Sequence, residues 1–189
     1  MNAPFDVSGV VLRTPRLLLR EWRESDLDDL FAYASDPGVG EMAGWPHHED
    51  MATSKEILDK FVKEKKTFAI YHLADKRVIG SLGVEFLDKS FAALPLCGRE
   101  LGYVLARPYW GQGLMPEAVE AVVEYLFGAL RYDFLTCGHF EWNAQSRRVI
   151  EKCGFVPLHI SVDYTTVMGT HETACLYIRY NPTREIKRL

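Results

Sequence analysis

The stretch that decides the fold of this chain is Tyr109-Trp110-Gly111-Gln112-Gly113-Leu114-Met115-Pro116-Glu117-Ala118. An apolar run at 101–105 leads into it, and apolar residues at the spacing of one helix face follow it, at 119, 122, 123 and 126. This order predicts a strand, a glycine turn and the beginning of a helix. The first turn of a helix has unpaired backbone N–H groups and partial positive charge, and glycines let an anion come close to them. The stretch therefore predicts an anion site suited to a pyrophosphate.

Two widespread phosphate-binding motifs do not fit this stretch. The P-loop ends in Gly-Lys-Ser/Thr, which is absent here, and the dinucleotide fingerprint would need glycine in place of Pro116. The stretch resembles instead the Q/R-x-x-G-x-G/A signature of the GNAT acetyltransferases, with Trp110 at its first position, Gly113 at its fourth and Met115 at its last. Met115 replaces the usual Gly or Ala and leaves less room beside the phosphates. The Trp-Gly-x-Gly form is similar to the subgroup that contains the ribosomal-protein alanine N-acetyltransferases.

Two further segments support the resemblance. The segment 143–155, NAQSRRVIEKCGF, is similar to the N-x-x-S…E-K-x-G-F block of that subgroup and follows the first signature in the expected order. The segment 12–20, LRTPRLLLR, resembles the sequence near the start of subgroup members. The resemblance covers roughly residues 11–180. It implies one GNAT domain over 1–189, with a mixed, mostly antiparallel central sheet flanked by helices and the cofactor between splayed central strands.

The composition agrees with one soluble domain. The chain has 189 residues, of which 48% are hydrophobic and 25% charged, and this length is enough to bury a core. The net charge of -4 argues against nucleic acid as a partner. No basic and apolar leader opens the sequence and no apolar run is long enough to span a bilayer, so we expect no membrane association. The four cysteines form no C-x-x-C pair and are expected to be reduced thiols of a cytoplasmic protein. The expected oligomeric state is a monomer or a homodimer.

The remaining hydrophobic patterns predict an α/β protein with strands on both sides of the glycine turn, in agreement with the GNAT fold. Ser25 is the predicted cap of the first helix, Thr53 and Glu56 form a predicted capping box for the second, and Gly154 ends the last. The predicted strands are 17–22, 67–73, 78–86, 99–106, 134–140, 156–164 and 173–179. The predicted helices are 26–34, one that begins at 53, 116–129 and 145–152.

The resemblance implies acetyl-CoA as the acyl donor and no metal. In the family the glycine turn holds the pyrophosphate and the end of the preceding strand pairs with the pantetheine arm. One backbone N–H there polarises the thioester carbonyl, as an oxyanion hole does. Asn143 would contact the pantetheine, although it also fits the cap of a short helix, and the glycines would also suit a plain turn. The implied cofactor-binding residues are Val104, Leu105, Ala106, Trp110, Gly111, Gln112, Gly113, Leu114, Met115, Asn143 and Ser146.

Two side chains are candidates for the chemistry. Many GNAT enzymes have a tyrosine acid where this chain has Ile150, which has no proton to donate. The subgroup has a serine near the cofactor sulfur at the position of Ser146, and its hydroxyl would hydrogen-bond the thiolate leaving group. The alternative is a helix serine bonded to the backbone. Glu100 lies on the strand face opposite Leu101 and would accept the amine proton, directly or through water, unless it is only a surface or ion-paired carboxylate.

Other polar residues also have two interpretations. The subgroup binds its acceptor in the region of the loop at 36–50, which makes Trp45, His47 and His48 candidates for substrate binding. We expect no metal at His47 and His48, because adjacent residues rarely converge on one ion. His139 is expected in the core or at a sheet edge, and 184–188 as a frayed tail. Three cations would either meet the 3′-phosphate of coenzyme A or form a solvated helix face: Arg147, Arg148 and Lys152.

The resemblance, taken with these residues, implies an N-acetyltransferase in which a neutral primary amine attacks acetyl-CoA directly. At pH 7 a peptide N-terminus with a pKa of ~8 is roughly 10% neutral, whereas a lysine at ~10.4 is about 0.04% neutral. A weak, water-relayed base suits the first acceptor better, and this favours a peptide N-terminus, with small amines left open. The alternatives are transfer of another acyl group such as succinyl, and a catalytically silent module that binds acyl-CoA.

Overall fold

The structure, a computed structural model, describes residues 3–87, 91 and 95–185. The predicted tail at 184–188 lies outside the described residues from 186 onward. The strands are β1 (Leu12–Arg13), β2 (Leu17–Arg20), β3 (Thr67–His72), β4 (Arg77–Glu85), β5 (Gly98–Leu105), β6 (Phe134–Phe140), β7 (Val156–Thr165) and β8 (His171–Tyr180). The helices are α1 (Leu27–Ala34), α2 (Met51–Glu64), α3 (Leu114–Gly128) and α4 (Ala144–Lys152), and 3-10 turns lie at Glu24–Asp26, Glu41–Ala43 and Arg107–Tyr109.

All these strands form one eight-stranded sheet in the order β1-β2-β3-β4-β5-β6-β8-β7. Every neighbouring pair is antiparallel except β5 and β6, which are parallel, so the predicted mixed, mostly antiparallel sheet is confirmed. The ladder between β5 and β6 runs from the pair Gly98–Phe134 to the pair Leu101–Cys137 and then ends. Beyond that pair β5 continues beside β4 and β6 continues beside β8. The sheet therefore opens between β5 and β6.

Amphipathic helices cover both faces of this sheet. On one face Leu114 and Val122 of α3 are buried in a core cluster with Leu101 and Leu105 of β5. On the other face α1 and α2 pack against β3 and β4 in a second cluster around Leu58. Burying one such side chain contributes about 1.5–3 kcal/mol. The glycine turn is held firmly in place, because the helix that begins directly after it is embedded in the core.

The N-terminal segment braces the beginning of α3. Thr14 Oγ1 donates to Glu117 Oε1 at 2.5 Å. Arg16 contacts the same carboxylate through its backbone N–H at 3.0 Å and through Nε at 2.7 Å. Arg16 Nη1 also donates to the backbone carbonyl of Gln112 at 2.9 Å. Residues that are far apart in the sequence thus fix the glycine turn relative to β2. These contacts give a structural reason why the segment 12–20 accompanies the glycine signature in the sequence.

The beginning of α2 differs from the prediction. The helix begins at Met51, two residues before Thr53, and its cap is Asp50. Asp50 Oδ1 accepts hydrogen bonds from the backbone N–H and from Oγ1 of Thr53, both at 2.8 Å. A carboxylate at this position also interacts favourably with the helix dipole, which a threonine hydroxyl does not. The predicted capping box of Thr53 and Glu56 is therefore wrong.

The beginnings of α1 and α3 also differ from the prediction, whereas the end of α4 agrees with it. α1 begins at Leu27 after a 3-10 turn, and Ser25, the predicted cap, lies inside that turn. α3 begins at Leu114, before the Pro116 at which it was predicted to begin. Gly154 follows α4 with a φ of 68°, the left-handed conformation that ends a helix, as predicted. β1 was not predicted, because two residues are too few for an alternating pattern.

A buried ion pair joins the end of β2 to the 3-10 turn before α1. Arg20 donates to Asp26 through Nη1 at 2.7 Å and Nη2 at 2.8 Å, and the two side chains are 6% and 7% exposed. Asp26 Oδ2 also accepts from the backbone N–H of Arg23 at 2.9 Å. Removing one partner of a buried bidentate ion pair strongly destabilises the folded protein, because the other charge is then buried without a counter-charge.

We predict that Asp26→Asn lowers the free energy of unfolding by about 3–5 kcal/mol, because it leaves the buried Arg20 guanidinium uncompensated. Urea unfolding monitored by circular dichroism measures the change. The matched control is Asp59→Asn, which removes an ion pair with Lys55 whose side chains are 46% and 57% exposed and should cost under about 1 kcal/mol. Equal losses in the two variants would contradict the structural importance of the buried pair.

Candidate active site

A cleft of about 1020 Å³ lies where β5 and β6 separate. This volume is at the upper end of the ~300–1,000 Å³ that is common for ligand sites. The predicted site residues that line it are Glu100, Val104, Leu105, Trp110, Gly111, Gly113, Leu114, Met115, Asn143 and Ser146. Those that do not line it are Trp45, His47, His48, Ala106 and Gln112. The structure thus brings both candidate catalytic side chains and most of the predicted cofactor-binding residues to one cavity.

The glycine turn closes one end of the cleft. Gly111 and Gly113 have φ values of 73° and 74°, a conformation that other residues adopt only with strain. A Cβ at Gly111 would meet no described atom within 4 Å, so the space beside this backbone is open. Gly113 is the N-cap of α3 and has no side chain to cap the first turn. The helix terminus therefore faces the cleft with its positive end available to an anion.

Trp110 ties the turn to the end of β5. Its indole Nε1 donates to the backbone carbonyl of Leu105 at 2.6 Å, and the Arg107 guanidinium lies 5.3 Å from the centre of its ring system. The tryptophan at the first signature position is therefore a structural link, a function that the sequence pattern did not indicate.

The open edge of β5 presents backbone groups to the cleft. The amide of Ala106 donates to Ile79 of β4 at 2.8 Å. Because bonded and non-bonded pairs alternate along an antiparallel ladder, the polar groups of Val104 also point to β4, and those of Tyr103 and Leu105 point to the opening. The carbonyl of Leu105 is taken by Trp110. The amide of Leu105 and both backbone groups of Tyr103 are thus the ones in position to pair with a bound ligand. Of the predicted backbone contacts, Leu105 keeps this position, whereas the backbone N–H groups of Val104 and Ala106 point to β4.

Asn143 is the cap of α4 and also holds the opposite wall of the cleft. Its Oδ1 accepts from the backbone N–H of Ser146 at 3.0 Å, and its Nδ2 donates to the carbonyl of Met42 at 3.1 Å. The side chain is buried and lines the cleft. The cap interpretation is confirmed, and the cofactor contact stays a prediction that the location of Asn143 allows.

Ser146 has a partner that the sequence pattern did not reveal. Tyr103 of β5 places its hydroxyl 3.0 Å from Ser146 Oγ and 3.2 Å from the backbone carbonyl of Ser146. Burial raises the pKa of Tyr103 well above its usual range, so the phenol keeps its proton. Ile150, at the position where many family members have tyrosine, is buried in the core. The cleft therefore contains a tyrosine hydroxyl that comes from a strand and not from α4.

Glu100 lies one residue before the end of the β5–β6 ladder. Its Cα partner on β4 is Glu85, and both residues line the cleft. Glu85 is neutralised in part by Lys66, whose Nζ lies 2.6 Å from Oε2. Glu100 is partly exposed whereas Leu101 is buried, which agrees with the prediction that the carboxylate lies on the face away from Leu101. A carboxylate in this place can accept a proton from a group that enters the opening.

The cysteine thiols near the cleft are poor nucleophiles. Cys137 lines the cleft beside Tyr103, and burial, followed by the negative charge of Glu100, raises its pKa far above the usual range. Burial also raises the pKa of Cys153 to about 12. Since the thiolate is the reactive form, neither cysteine is prepared to carry an acyl group at neutral pH. The structure records Cys97, Cys137, Cys153 and Cys175 as free cysteines.

The loop between α1 and α2 forms the far wall of the cleft, but not through the residues predicted to bind substrate. His47 Nδ1 lies 2.9 Å from Glu41 Oε1, and His48 Nδ1 lies 2.7 Å from Ser54 Oγ. The Trp45 ring packs against His48 at 5.3 Å. These side chains hold the loop in shape. The loop residues that do line the cleft are Val39, Met42 and Ala43.

Glu41 stabilises this loop at several points. Burial raises the pKa of Glu41, but hydrogen bonds from His47 and from the Gly38 backbone outweigh it and bring the pKa to about 2. The carboxylate therefore stays ionised in the physiological range, and its contribution to loop stability is lost progressively as the pH falls from about 4.5, the ordinary pKa, to about 2.

Cations line the cleft on the α4 side. Arg148 and Lys152 reach it, whereas Arg147 is paired with Glu151 at 2.8 Å.

Among the residues that the structure describes, no group of three or more His, Cys, Asp or Glu is placed to hold a metal ion. No helix within the described ranges is long and apolar enough to cross a membrane.

Comparisons with known proteins agree with this geometry. The family model described as Acetyltransferase (GNAT) domain matches residues 16–156. The uncharacterized N-acetyltransferase p20 of Bacillus licheniformis is 26% identical over 163 residues, which cover 84% of this chain and 89% of that protein. The probable N-acetyltransferase YjcK of Bacillus subtilis is 30% identical over 131 residues, 69% of each protein.

Solved structures share the fold. A GNAT acetyltransferase from Bacillus anthracis superposes with a TM-score of 0.78 at 18% identity over 91% of this chain and 99% of its own. The ribosomal-protein-S5-alanine acetyltransferase of Vibrio fischeri gives 0.72 at 19% identity, over 94% and 100%. The microcin C7 self-immunity acetyltransferase MccE, solved with acetyl-CoA and AMP, gives 0.74 at 12% identity, over 88% and 93%.

The splayed mixed sheet with a glycine turn at the mouth of its opening is that of an acetyltransferase, and the family match covers most of the chain. The chain therefore belongs to the GNAT family of acetyltransferases.

Proposed function

We propose that this protein is an acetyl-CoA-dependent N-acetyltransferase that transfers the acetyl group to a primary amine by direct attack. The observation that carries the proposal is the single cleft in which an open helix N-terminus, an unpaired strand edge, Ser146 and Glu100 come together. The free thiols of the four cysteines agree with action in the cytoplasm, a reducing compartment.

The cofactor fits the cleft in one direction. Its pyrophosphate would lie on the turn at Gly111 and Gly113, where the helix dipole and open backbone favour an anion. Its pantetheine arm would pair with the open edge of β5 at Tyr103 and Leu105. Arg148 and Lys152 would supply positive charge along α4. The thioester would then lie near the point where the β5–β6 ladder ends, with Ser146 on the α4 side.

The chain has a group to accept the proton or stabilise the charge at each centre that changes during acetyl transfer. The amine nitrogen bonds to the thioester carbon, the carbon–sulfur bond breaks, and the electron pair leaves on sulfur. Glu100, directly or through water, accepts the amine proton. A backbone N–H at the open edge of β5 polarises the carbonyl, and the Ser146 hydroxyl donates to the departing thiolate. The protonated state of Cys137 leaves direct attack as the route that the residues support.

The proposed acceptor is a peptide N-terminus. The cleft lining includes the apolar residues Val39, Met42, Ala43, Phe140 and Leu176, which could pack against the residues that follow a peptide N-terminus. A weak base is also sufficient for an amine with a pKa of ~8. The structurally similar protein from Vibrio fischeri is named for acetylation of a ribosomal-protein alanine.

The deciding experiment is thiol release from acetyl-CoA in the presence of peptides, spermidine-like amines and free amino acids, with succinyl-CoA as a second donor. Acetylation of at least one peptide N-terminus supports the proposal. Faster transfer from succinyl-CoA would favour the longer acyl group, and tight acetyl-CoA binding with no transfer to any amine would favour the silent binding module.

We predict that Gly111→Ala weakens coenzyme A binding by about tenfold or more, ~1.4 kcal/mol, because a methyl group would occupy the space of the phosphates. The matched control is Gly9→Ala. Gly9 has a φ of 71° and the same open space around it, but it does not line the cleft. Both variants carry the cost of positive φ, about 1–2 kcal/mol of stability. Calorimetry with coenzyme A that finds equal affinities in the two variants would contradict the pyrophosphate site.

A second prediction concerns the opening in the sheet. Gly102 and Gly138 occupy the first positions after the last pair of the β5–β6 ladder, and both line the cleft. A Cβ at Gly102 would meet no described atom within 4 Å, so Gly102→Ala should fold normally and narrow the opening. We expect amine acetylation to fall by about tenfold, ~1.4 kcal/mol, with coenzyme A affinity nearly unchanged.

The control for the opening is Gly128→Ala at the end of α3, where a Cβ also meets nothing within 4 Å and no part of the cleft is near. Acetylation rates for both variants are measured with one good acceptor at saturating acetyl-CoA. Wild-type kinetics in Gly102→Ala would show that the acceptor does not approach through this opening.

Glu100→Gln should remove most activity near neutral pH and recover part of it at high pH, where the acceptor amine is already neutral. The substitution keeps the size of the side chain and removes its charge. The pH profile of kcat/KM is measured for both proteins, with Glu85→Gln as the neighbouring control. A wild-type profile for Glu100→Gln would show that water or another residue takes the proton.

A further inference from the structure

The phenol of Tyr103 has one proton and two acceptors within reach on the same residue. Ser146 Oγ lies at 3.0 Å and the Ser146 carbonyl at 3.2 Å. When the phenol donates to the carbonyl, its oxygen can accept from Ser146 Oγ, and a serine proton held in that bond points away from the cleft. When the phenol donates to Ser146 Oγ, the serine proton is free to point into the cleft.

We propose that Tyr103 is a positioning residue that donates to Ser146 Oγ and so directs the serine proton at the departing sulfur of coenzyme A. The proposal rests on the proposed function. It goes beyond that function in assigning a second residue, on a different element, to the leaving-group side of the reaction.

The location of Tyr103 makes this arrangement specific. The side chain comes from β5, the strand whose open edge borders the cleft, and it lines the cleft together with Ser146. Ile150, one turn further along α4, is apolar and buried, so α4 itself offers no hydroxyl beyond Ser146 for this task. Cys137 also interacts with the phenol through its side chain, but burial raises the pKa of Cys137, so the thiol keeps its proton and is not a charged acceptor that competes with Ser146.

The relative acidities decide between positioning and proton transfer. A free thiol has a pKa of ~8.5, whereas the phenol of Tyr103 is less acidic than an ordinary tyrosine at ~10. Moving a proton from the phenol through Ser146 to the thiolate would therefore be uphill. The carbon–sulfur electron pair stays on sulfur, the two hydroxyls stabilise it by hydrogen bonds, and the thiolate takes its proton from water after release.

The first test is the thiol pKa of bound coenzyme A, titrated by the ultraviolet absorbance of its thiolate. A hydrogen bond from Ser146 lowers this pKa in the wild-type complex. We expect Tyr103→Phe and Ser146→Ala each to raise it by about one pH unit, a tenfold change in the ionisation constant. This measurement needs no acceptor, so it decides the inference even if acetyl transfer to an amine is never found.

The second test is steady-state kinetics of the same variants. Tyr103→Phe should lower kcat by about 10- to 100-fold, as Ser146→Ala does, with the KM for acetyl-CoA within about twofold of wild type. The double variant should be no slower than the slower single variant, because both substitutions interrupt the same chain of hydrogen bonds from Tyr103 through Ser146 to the sulfur. Ser146→Thr, which retains the hydroxyl, should keep most of the activity and still depend on Tyr103.

The matched control is Tyr132→Phe, which removes another hydrogen bond from a tyrosine hydroxyl to a backbone carbonyl, that of Pro4, away from the cleft. It should change neither the thiol pKa nor kcat. An unchanged thiol pKa in Tyr103→Phe, additive losses in the double variant, or a raised KM with normal kcat would each overturn the inference. Failure of all amines as acceptors with the expected thiol pKa values would overturn the proposed function alone.

Discussion

The end of the β5–β6 ladder at Leu101–Cys137 is the constraint on which the rest of the site depends. Each strand keeps its other neighbour, β4 or β8, so the two cannot close on each other without breaking a longer ladder. The polar groups exposed at the open edge of β5 need partners, and a ligand that runs along the strand can provide them. The early end of one parallel ladder thus leaves a strand edge to which a ligand could hydrogen-bond.

Side-chain to backbone hydrogen bonds fix the position of this opening relative to the helices around it. Trp110 fastens the glycine turn to Leu105, and Arg16 fastens the same turn to β2 through Gln112. Cys153 Sγ lies 3.8 Å from the carbonyl of Pro116, where α3 and α4 meet. Each bond is modest, about 0.5–1.5 kcal/mol net, but each one joins segments that are distant in the chain.

Local signals predicted the parts of the site that lie on one segment. The glycine turn, the cap at Asn143 and the stop at Gly154 each depend on a few neighbouring residues, and all are found in the structure. The contact of Tyr103 with Ser146 depends on strand register and helix docking, which no short pattern contains. The loop at 36–50 was predicted to bind the acceptor through Trp45, His47 and His48, but the two histidines contact Glu41 and Ser54, and Met42 is among the loop residues that line the cleft.

The amide of Asn143 belongs at once to the α4 side of the cleft and, through Met42, to the loop on the opposite side. A single buried side chain therefore joins the two sides mechanically, so a ligand that displaced α4 or the loop would act on both of its hydrogen bonds. Any free energy by which one ligand tightens or loosens these two bonds is returned in equal measure to the affinity for the other.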